Sequence, residues 1–276
     1  MTDMAFTFEC AGDRLYGVAS VPPAPAARGV VIVVGGPQYR AGSHRQFTLL
    51  ARALADEGIA ALRFDVRGMG DSEGTARPFE DIGADLDAAV TAFLQQVPTL
   101  REVVLWGLCD GASAAALYAA RDPRVTGLAL LNPWVRTEAG AATATIKHYY
   151  RARLFDKTFW QKLAGGKFDA GAAVRSAVQL AKTALAPAPA ASTASLPEQV
   201  YQGLAAFDGK LLVMLSGADL TAQEFQDASA ATGHWRALMA QPRVTRHVLD
   251  GADHTCSRRD WHDQVAAWTA AWLRAW

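Results

Sequence analysis

Residues 103–115, Val-Val-Leu-Trp-Gly-Leu-Cys-Asp-Gly-Ala-Ser-Ala-Ala, constrain this chain more than any other stretch. An apolar, β-prone run breaks at Gly107-Leu108-Cys109-Asp110-Gly111, and an alanine-rich helical stretch follows at once. A strand that turns into a helix over so few residues brings its own backbone into close contact. The positions two either side of Cys109 must therefore be small, and Gly107 and Gly111 meet that need. Gly-X-Cys-X-Gly in this setting is the pattern of a nucleophile elbow, with cysteine where serine usually stands. The sulfur would lie at a helix N-terminus, where N–H groups and the helix dipole favour a thiolate.

The segments around this turn alternate. Residues 5–21 read as two short strands joined around Gly12-Asp13, and 24–28 as a loop. Residues 29–34, Gly-Val-Val-Ile-Val-Val, form a β-branched run suited to a strand buried on both faces. Residues 44–57 read as a helix closed by Gly58, 59–64 as a strand, 65–74 as a glycine-rich loop and 79–96 as a helix ending before Pro98. Strands follow into Cys109 and at 126–131, 210–215 and 244–249, with a last helix at 259–275. Such alternation predicts an α/β domain with a mostly parallel central sheet and helices on both faces. Chemistry in such sheets gathers at the carboxyl ends of strands, where Cys109 stands.

The stretch 134–208 breaks the alternation. It lacks a convincing buried strand and contains the low-complexity run Ala184-Leu185-Ala186-Pro187-Ala188-Pro189-Ala190-Ala191-Ser192. The expected organisation is a core at 1–133 and 209–276, with 134–208 inserted as a lid over the active-site face. His148, Tyr149, Tyr150, Arg151 and Arg153 crowd that insertion, where they could meet an anionic substrate group or form an ordinary solvated helix.

Charge and cysteine usage narrow the class. The 276 residues carry 27 basic and 27 acidic side chains, a balance that argues against a nucleic-acid binder. No run of about 18 apolar residues suggests a membrane span, and Met1-Thr2-Asp3-Met4 does not open a signal peptide. Cys10, Cys109 and Cys256 are odd in number and widely spaced, which fits neither a disulfide framework nor a zinc site. The expectation is a cytoplasmic protein.

A nucleophilic cysteine needs a base in reach and a group to orient that base. Leu211–Ser216 leads into Gly217-Ala218-Asp219, and Val248-Leu249 leads into Asp250-Gly251-Ala252-Asp253-His254. The order Cys109, Asp219, His254 is the nucleophile–acid–base order of the α/β-hydrolases. Asp253 and Glu224 are the neighbouring carboxylates that could take the place of Asp219.

With these residues in view, the chain resembles the α/β-hydrolase fold family over nearly its whole length. Its loop Asp65-X-Arg67-Gly68-X-Gly70-X-Ser72-X-Gly74 is a common signature of that family. The combination of Gly-Gly-Pro-Gln, Gly-Leu-Cys-Asp-Gly and Ser-Gly-Ala-Asp-Leu-Thr more narrowly resembles the exosortase A-associated hydrolases. These are bacterial proteins encoded with exopolysaccharide and protein-sorting systems, and the resemblance does not supply their substrate.

The resemblance and the chemistry together imply a hydrolase of esters or thioesters. Cys109 attacks the acyl carbonyl, His254 serves as base and Asp219 orients His254. The oxyanion would meet the N–H of Asp110 and one from the Gly35-Gly36-Pro37-Gln38 loop. Pro37 has no N–H, so Gln38 is the candidate and Gly36 the fallback. The Asp110 carboxylate is expected to point away from the thiol. His44 and Arg45 would line the pocket with Gly36. The partner is a small acyl substrate, with a CoA or carrier-linked one as a candidate, and no metal or organic cofactor is implied. Two other readings stand beside this one: a lactonase resembling dienelactone hydrolase, and a non-catalytic binding protein on a hydrolase scaffold.

Other residues have plainer readings. Asp65 and Arg67 read as a structural pair in their loop, Cys10 as packing and Cys256 as a spectator near the site. Trp261, Trp268, Trp272 and Trp276 share one face of the last helix, which suits core packing. Any surplus on that face would be open to a second copy in a homodimer.

Overall fold

The computed structural model describes residues 1–36, 38–136 and 194–276. Eight strands form one sheet: β1 (Thr2–Cys10), β2 (Asp13–Val21), β3 (Arg28–Val33), β4 (Ala61–Phe64), β5 (Glu102–Leu108), β6 (Val125–Leu131), β7 (Lys210–Ser216) and β8 (Val244–Leu249). Their order is β1-β2-β4-β3-β5-β6-β7-β8. β1 and β2 pair antiparallel, β2 joins β4 antiparallel, and the remaining neighbours are parallel.

The pleat explains why the central strands are apolar throughout. On β3, Val31 and Val33 enter one core while Val30 and Ile32 enter the other; on β5, Val103 and Leu105 face opposite to Val104, Trp106 and Leu108. Each strand is thus buried on both faces, as a covered parallel sheet requires. Helices α1 (Gln46–Asp56) and α7 (Arg259–Arg274) cover the Trp106 face. Helices α2 (Gly83–Gln96), α3 (Asp110–Tyr118), α4 (Leu196–Ala206), α5 (Leu220–Ala231) and α6 (Gly233–Met239) lie on the other. No helix among the described residues is long and apolar enough to cross a membrane.

Several boundaries differ from the sequence reading. The β1–β2 turn is Ala11-Gly12, one residue earlier than expected. Cys10 pairs with Asp13, and the two loop residues have φ of 52° and 89°, as a two-residue hairpin turn requires. Helix α1 begins at Gln46 rather than 44, because His44 and Arg45 sit at φ 53° and 60°, outside the helical region. Helices α5 and α6, between β7 and β8, were not expected from the sequence.

The expected lid boundary also moves. Val135 is buried, and Val200 and Leu204 of α4 are fully so. Gly203 lies so close to the Ala116 carbonyl of α3 that a side chain there would strike it. Residues 196–207 are therefore core, held by their apolar face against α3. The remainder of the expected lid, 137–193 with His148, Tyr149, Tyr150, Arg151 and Arg153, lies outside the described residues. The tryptophan stripe packs as expected: Trp272 is buried, and Trp261, Trp268 and Trp276 lie against the same core.

Candidate active site

Cys109 stands between β5 and α3 at φ 59° and ψ −125°, a conformation that costs a non-glycine residue about 1–3 kcal/mol. Its carbonyl receives N–H groups from Ala112, Ser113 and Trp134, and its own N–H donates to Leu131 O. The two flanking glycines have steric causes. A Cβ on Gly107 would lie 2.5 Å from Gly111 O and Ala112 N, and one on Gly111 would lie 2.5 Å from Val33 O. The elbow predicted from the sequence is present, with the sulfur partly exposed.

His254 and Asp219 meet beside it. The His254 Nδ1 contact to Asp219 Oδ2 is 3.0 Å. The same oxygen accepts the Ala222 N–H at 3.0 Å, so Asp219 also caps α5. His254 is pushed up to about 10, first by its hydrogen bond to Asp219 and then by the Cys109 side chain. The imidazole is thus held by the Asp219 carboxylate, and its basicity is raised by Asp219 and Cys109 together. The rival carboxylates are engaged elsewhere. Asp253 accepts from the Ser257 N–H at 2.9 Å and from its hydroxyl, and Glu224 binds Arg136 at 3.0 Å.

The loops that carry these groups are cross-tied. Gly217 N–H donates to Leu249 O and Ala218 N–H to Ala252 O, both at 2.9 Å. A Cβ on Gly217 would lie 2.9 Å from Gly251 N, which explains the small residue. Sequence reasoning missed Asn132, at φ 48° just past β6. Its Nδ2 donates to Ser216 Oγ at 2.9 Å and to the His254 carbonyl at 3.1 Å, and its Oδ1 accepts Ser216 N–H at 2.8 Å. Asn132 ties the ends of β6 and β7 to the histidine loop. Its place at a strand's carboxyl end was the available signal.

The loop after β3 departs from the expectation. Gln38 N–H donates to Gly36 O at 2.8 Å, so it is engaged in a tight local turn and is not a free oxyanion donor. The fallback, Gly36 N–H, donates to Asp110 Oδ2 at 2.7 Å. The Asp110 carboxylate does point toward this loop, where its other oxygen accepts Gly111 N–H at 3.0 Å. The Asp110 N–H opens α3 and so has no partner within the helix. The Gln38 Oε1 accepts Ser43 N–H at 3.1 Å, while its Nε2 donates to nothing among the described residues.

His44 and Arg45 follow at two consecutive left-handed positions, both exposed. Arg45 forms no ion pair among the described residues.

Asp65 and Arg67 each hold their loop, through different partners. Buried Asp65 binds the Arg40 guanidinium and accepts the Arg40 and Asp71 N–H groups, pinning the loop after β3 to that after β4. Arg67 pairs with buried Asp85 at 2.8 Å and so ties its loop to α2. The sequence could show that these loops were organised but not which partners crossed between them. Cys10 is buried in the core. Cys256 is 2% exposed, and burial pushes its thiol up to about 11, which suits a spectator. A cleft of about 290 Å³ opens beside Gly35, Gly36 and Asp110, walled by Val66, Met69, Phe79 and Ile82 with Arg77.

A strained elbow at a strand end, with histidine and aspartate on later strand ends, defines an α/β-hydrolase. Residues 25–255 match the model of the serine aminopeptidase S33 family, and the chain belongs to that family of enzymes. Among curated proteins it is 34% identical over 92 residues to the polyketide transferase grgF of a Penicillium species, a match covering 31% of each protein. It is 28% identical over 125 residues to the acyltransferase drtE of Aspergillus calidoustus, covering 44% of this chain and 38% of that one. These matches span only about a third of each relative's length. The fold is shared with an esterase of Pyrococcus furiosus at a TM-score of 0.68 and 15% identity, covering 100% of this chain and 91% of that one.

Proposed function

We propose that this enzyme cleaves an ester or thioester through an acyl-cysteine intermediate, with Cys109 as nucleophile, His254 as base and Asp219 as its orienting acid. The observation that carries this reading is His254, which contacts Asp219 at 3.0 Å and is made more basic by Asp219 first and Cys109 second. The raised basicity of His254 favours a thiolate–imidazolium pair before substrate arrives. The thiolate attacks the acyl carbonyl, and the leaving thiol or alcohol takes its proton from His254. Water then gives a proton to His254 and attacks the acyl-cysteine, releasing the acid and the thiol.

The first oxyanion donor is the Asp110 N–H. The second, in this reading, is the Gln38 side-chain amide rather than its N–H. Ser43 fixes Oε1, Nε2 has no partner among the described residues, and side-chain amides serve this role in other hydrolases. The apolar cleft beside Gly36 suits an acyl chain. Exposed Arg45 and His44 suit an anionic carrier such as a CoA or pantetheine phosphate. The three free cysteines fit a reducing compartment, and the sequence resemblance points to an exopolysaccharide-linked setting.

A second outcome, transfer of the acyl group to a hydroxyl or amine instead of water, is favoured by the names of the two curated relatives, a transferase and an acyltransferase. The test is intact-mass analysis after incubation with acyl thioesters and simple esters. An acyl adduct on Cys109, absent in His254→Ala, supports the reading. A Cys109 that reacts with iodoacetamide yet acquires no acyl group from any of them overturns it. A slow thiol indifferent to His254→Ala leaves the binding-protein reading in its place.

A further inference from the structure

Three buried polar atoms converge at a place that the acyl-transfer reading does not use. Trp106 Nε1, Gln46 Nε2 and His262 Nε2 are each closed off from solvent with no hydrogen-bond partner among the described residues. All three side chains line one cavity, together with Cys256, Leu50 and Val265. Trp106 is 2% exposed and Gln46 4%. Buried polar groups in folded proteins are nearly all satisfied, so three orphans facing one space mark a ligand.

Size and charge identify the ligand. The cavity measures about 10 Å³, close to the roughly 10–15 Å³ that one water needs, and a buried water takes two to four polar partners. Among the described residues, no acidic or basic side chain of fixed charge lines the space to hold an ion. Burial keeps the Cys256 thiol protonated and lowers His262 toward its neutral form. The charged groups acting on His262, namely Asp263, Arg259 and His44, are all exposed and stand outside the cavity.

We propose that this cavity binds a single water, which accepts from the Trp106 indole N–H and a Gln46 amide proton and donates to His262 Nε2. The water is a joint between three segments that lead to the site. Trp106 lies on β5, three residues before Cys109. Gln46 opens α1 directly after His44 and Arg45. His262 lies in the first turn of α7, beyond the loop that carries His254. Cys256, also on the cavity wall, sits 3.7 Å from Ser216 Oγ. Ser216 in turn is held by Asn132, which grips the His254 carbonyl. Gln46, Trp106 and His262 are in this sense positioning residues.

Crystals of the wild-type protein at about 1.5 Å resolution test the site directly. One full-occupancy water within about 3.2 Å of all three nitrogens is the expected result. An empty cavity, a direct Gln46–Trp106 hydrogen bond, or an anomalous bromide peak there after a bromide soak would each overturn it. The joint is tested by the pH profile of Cys109 alkylation with iodoacetamide. His262→Leu should shift that profile, and His262→Gln, which keeps an acceptor for the water, should restore it. Profiles unchanged in both variants, with folding intact, would overturn the positioning role.

Discussion

The loops after β7 and β8 are tied to each other, whereas the loop after β3 is tied to the elbow, to the loop after β4 and to itself. On the first side, Gly217 and Ala218 donate to the His254 loop, Asn132 holds the His254 carbonyl, and Asp219 is fixed as the cap of α5. On the second, Gly36 N–H faces the Asp110 carboxylate and Gln38 N–H closes a turn. Two left-handed residues, His44 and Arg45, then lead out to solvent. In the proposed reading the acid–base half is thus organised before substrate binds, while the oxyanion half relies on the Asp110 N–H and a side-chain amide.

This contrast ranks the expected losses. His254→Ala should lower turnover about 10⁴-fold or more, because base, leaving-group acid and thiolate partner vanish together. The rate of acyl-Cys109 formation, read by rapid-quench mass spectrometry, measures it. Retention of most activity would place the base elsewhere. Asp219→Asn should follow with a loss of roughly 10³–10⁴-fold in kcat, since the imidazole loses both its tautomer and its charge partner. Asp253→Asn should stay near wild type, its carboxylate being engaged with Ser257. Equal losses in the two variants would erase the distinction between them.

The oxyanion side gives the next effect. Gln38→Ala should lower kcat by about 10²–10³-fold with little change in KM, the usual size for one oxyanion donor. A variant near wild type would mean that the loop rearranges to free a backbone N–H when substrate binds. Asp110→Ala, which releases Gly36 N–H, would then raise activity rather than lower it.

The elbow was legible because its constraint is local: the two glycines are forced by contacts within a few residues of Cys109. The parallel sheet was legible for a similar reason, since double-faced burial leaves the unbroken apolar runs of β3, β5 and β7. Helix α5 opens on Asp219 as its cap, but its alanine- and glutamine-rich body gives a weak apolar stripe. That His254 meets Asp219, while Ser257 engages Asp253, rests on contacts between loops. Likewise the commitment of Gln38 N–H depends on how the turn at Gly36 closes, and the role of Asn132 on three strand ends lying side by side. Contacts between loops distant in sequence leave no periodic trace.

The smallest effect concerns stability, and its sign distinguishes a charged His254 from a neutral one. His254 is raised in the folded protein to about 10 from an ordinary 6.5. Its pairing therefore stabilises the fold in full below about pH 6.5, and this contribution is lost as pH rises through about 10. Asp219→Asn removes most of that benefit while keeping an oxygen that can cap α5, so the cap does not confuse the comparison. The melting temperature of wild type should exceed that of Asp219→Asn by about 2–4 °C near pH 6.5. That corresponds to something on the order of 1 kcal/mol after allowing for the solvent that reaches the imidazole. The gap should close above pH 10. A gap that persists there would mean that Asp219 acts as a hydrogen-bond acceptor for a neutral ring. The thiolate–imidazolium pair would then form only as substrate arrives, and the acid–base half would be less organised in advance than its cross-ties imply.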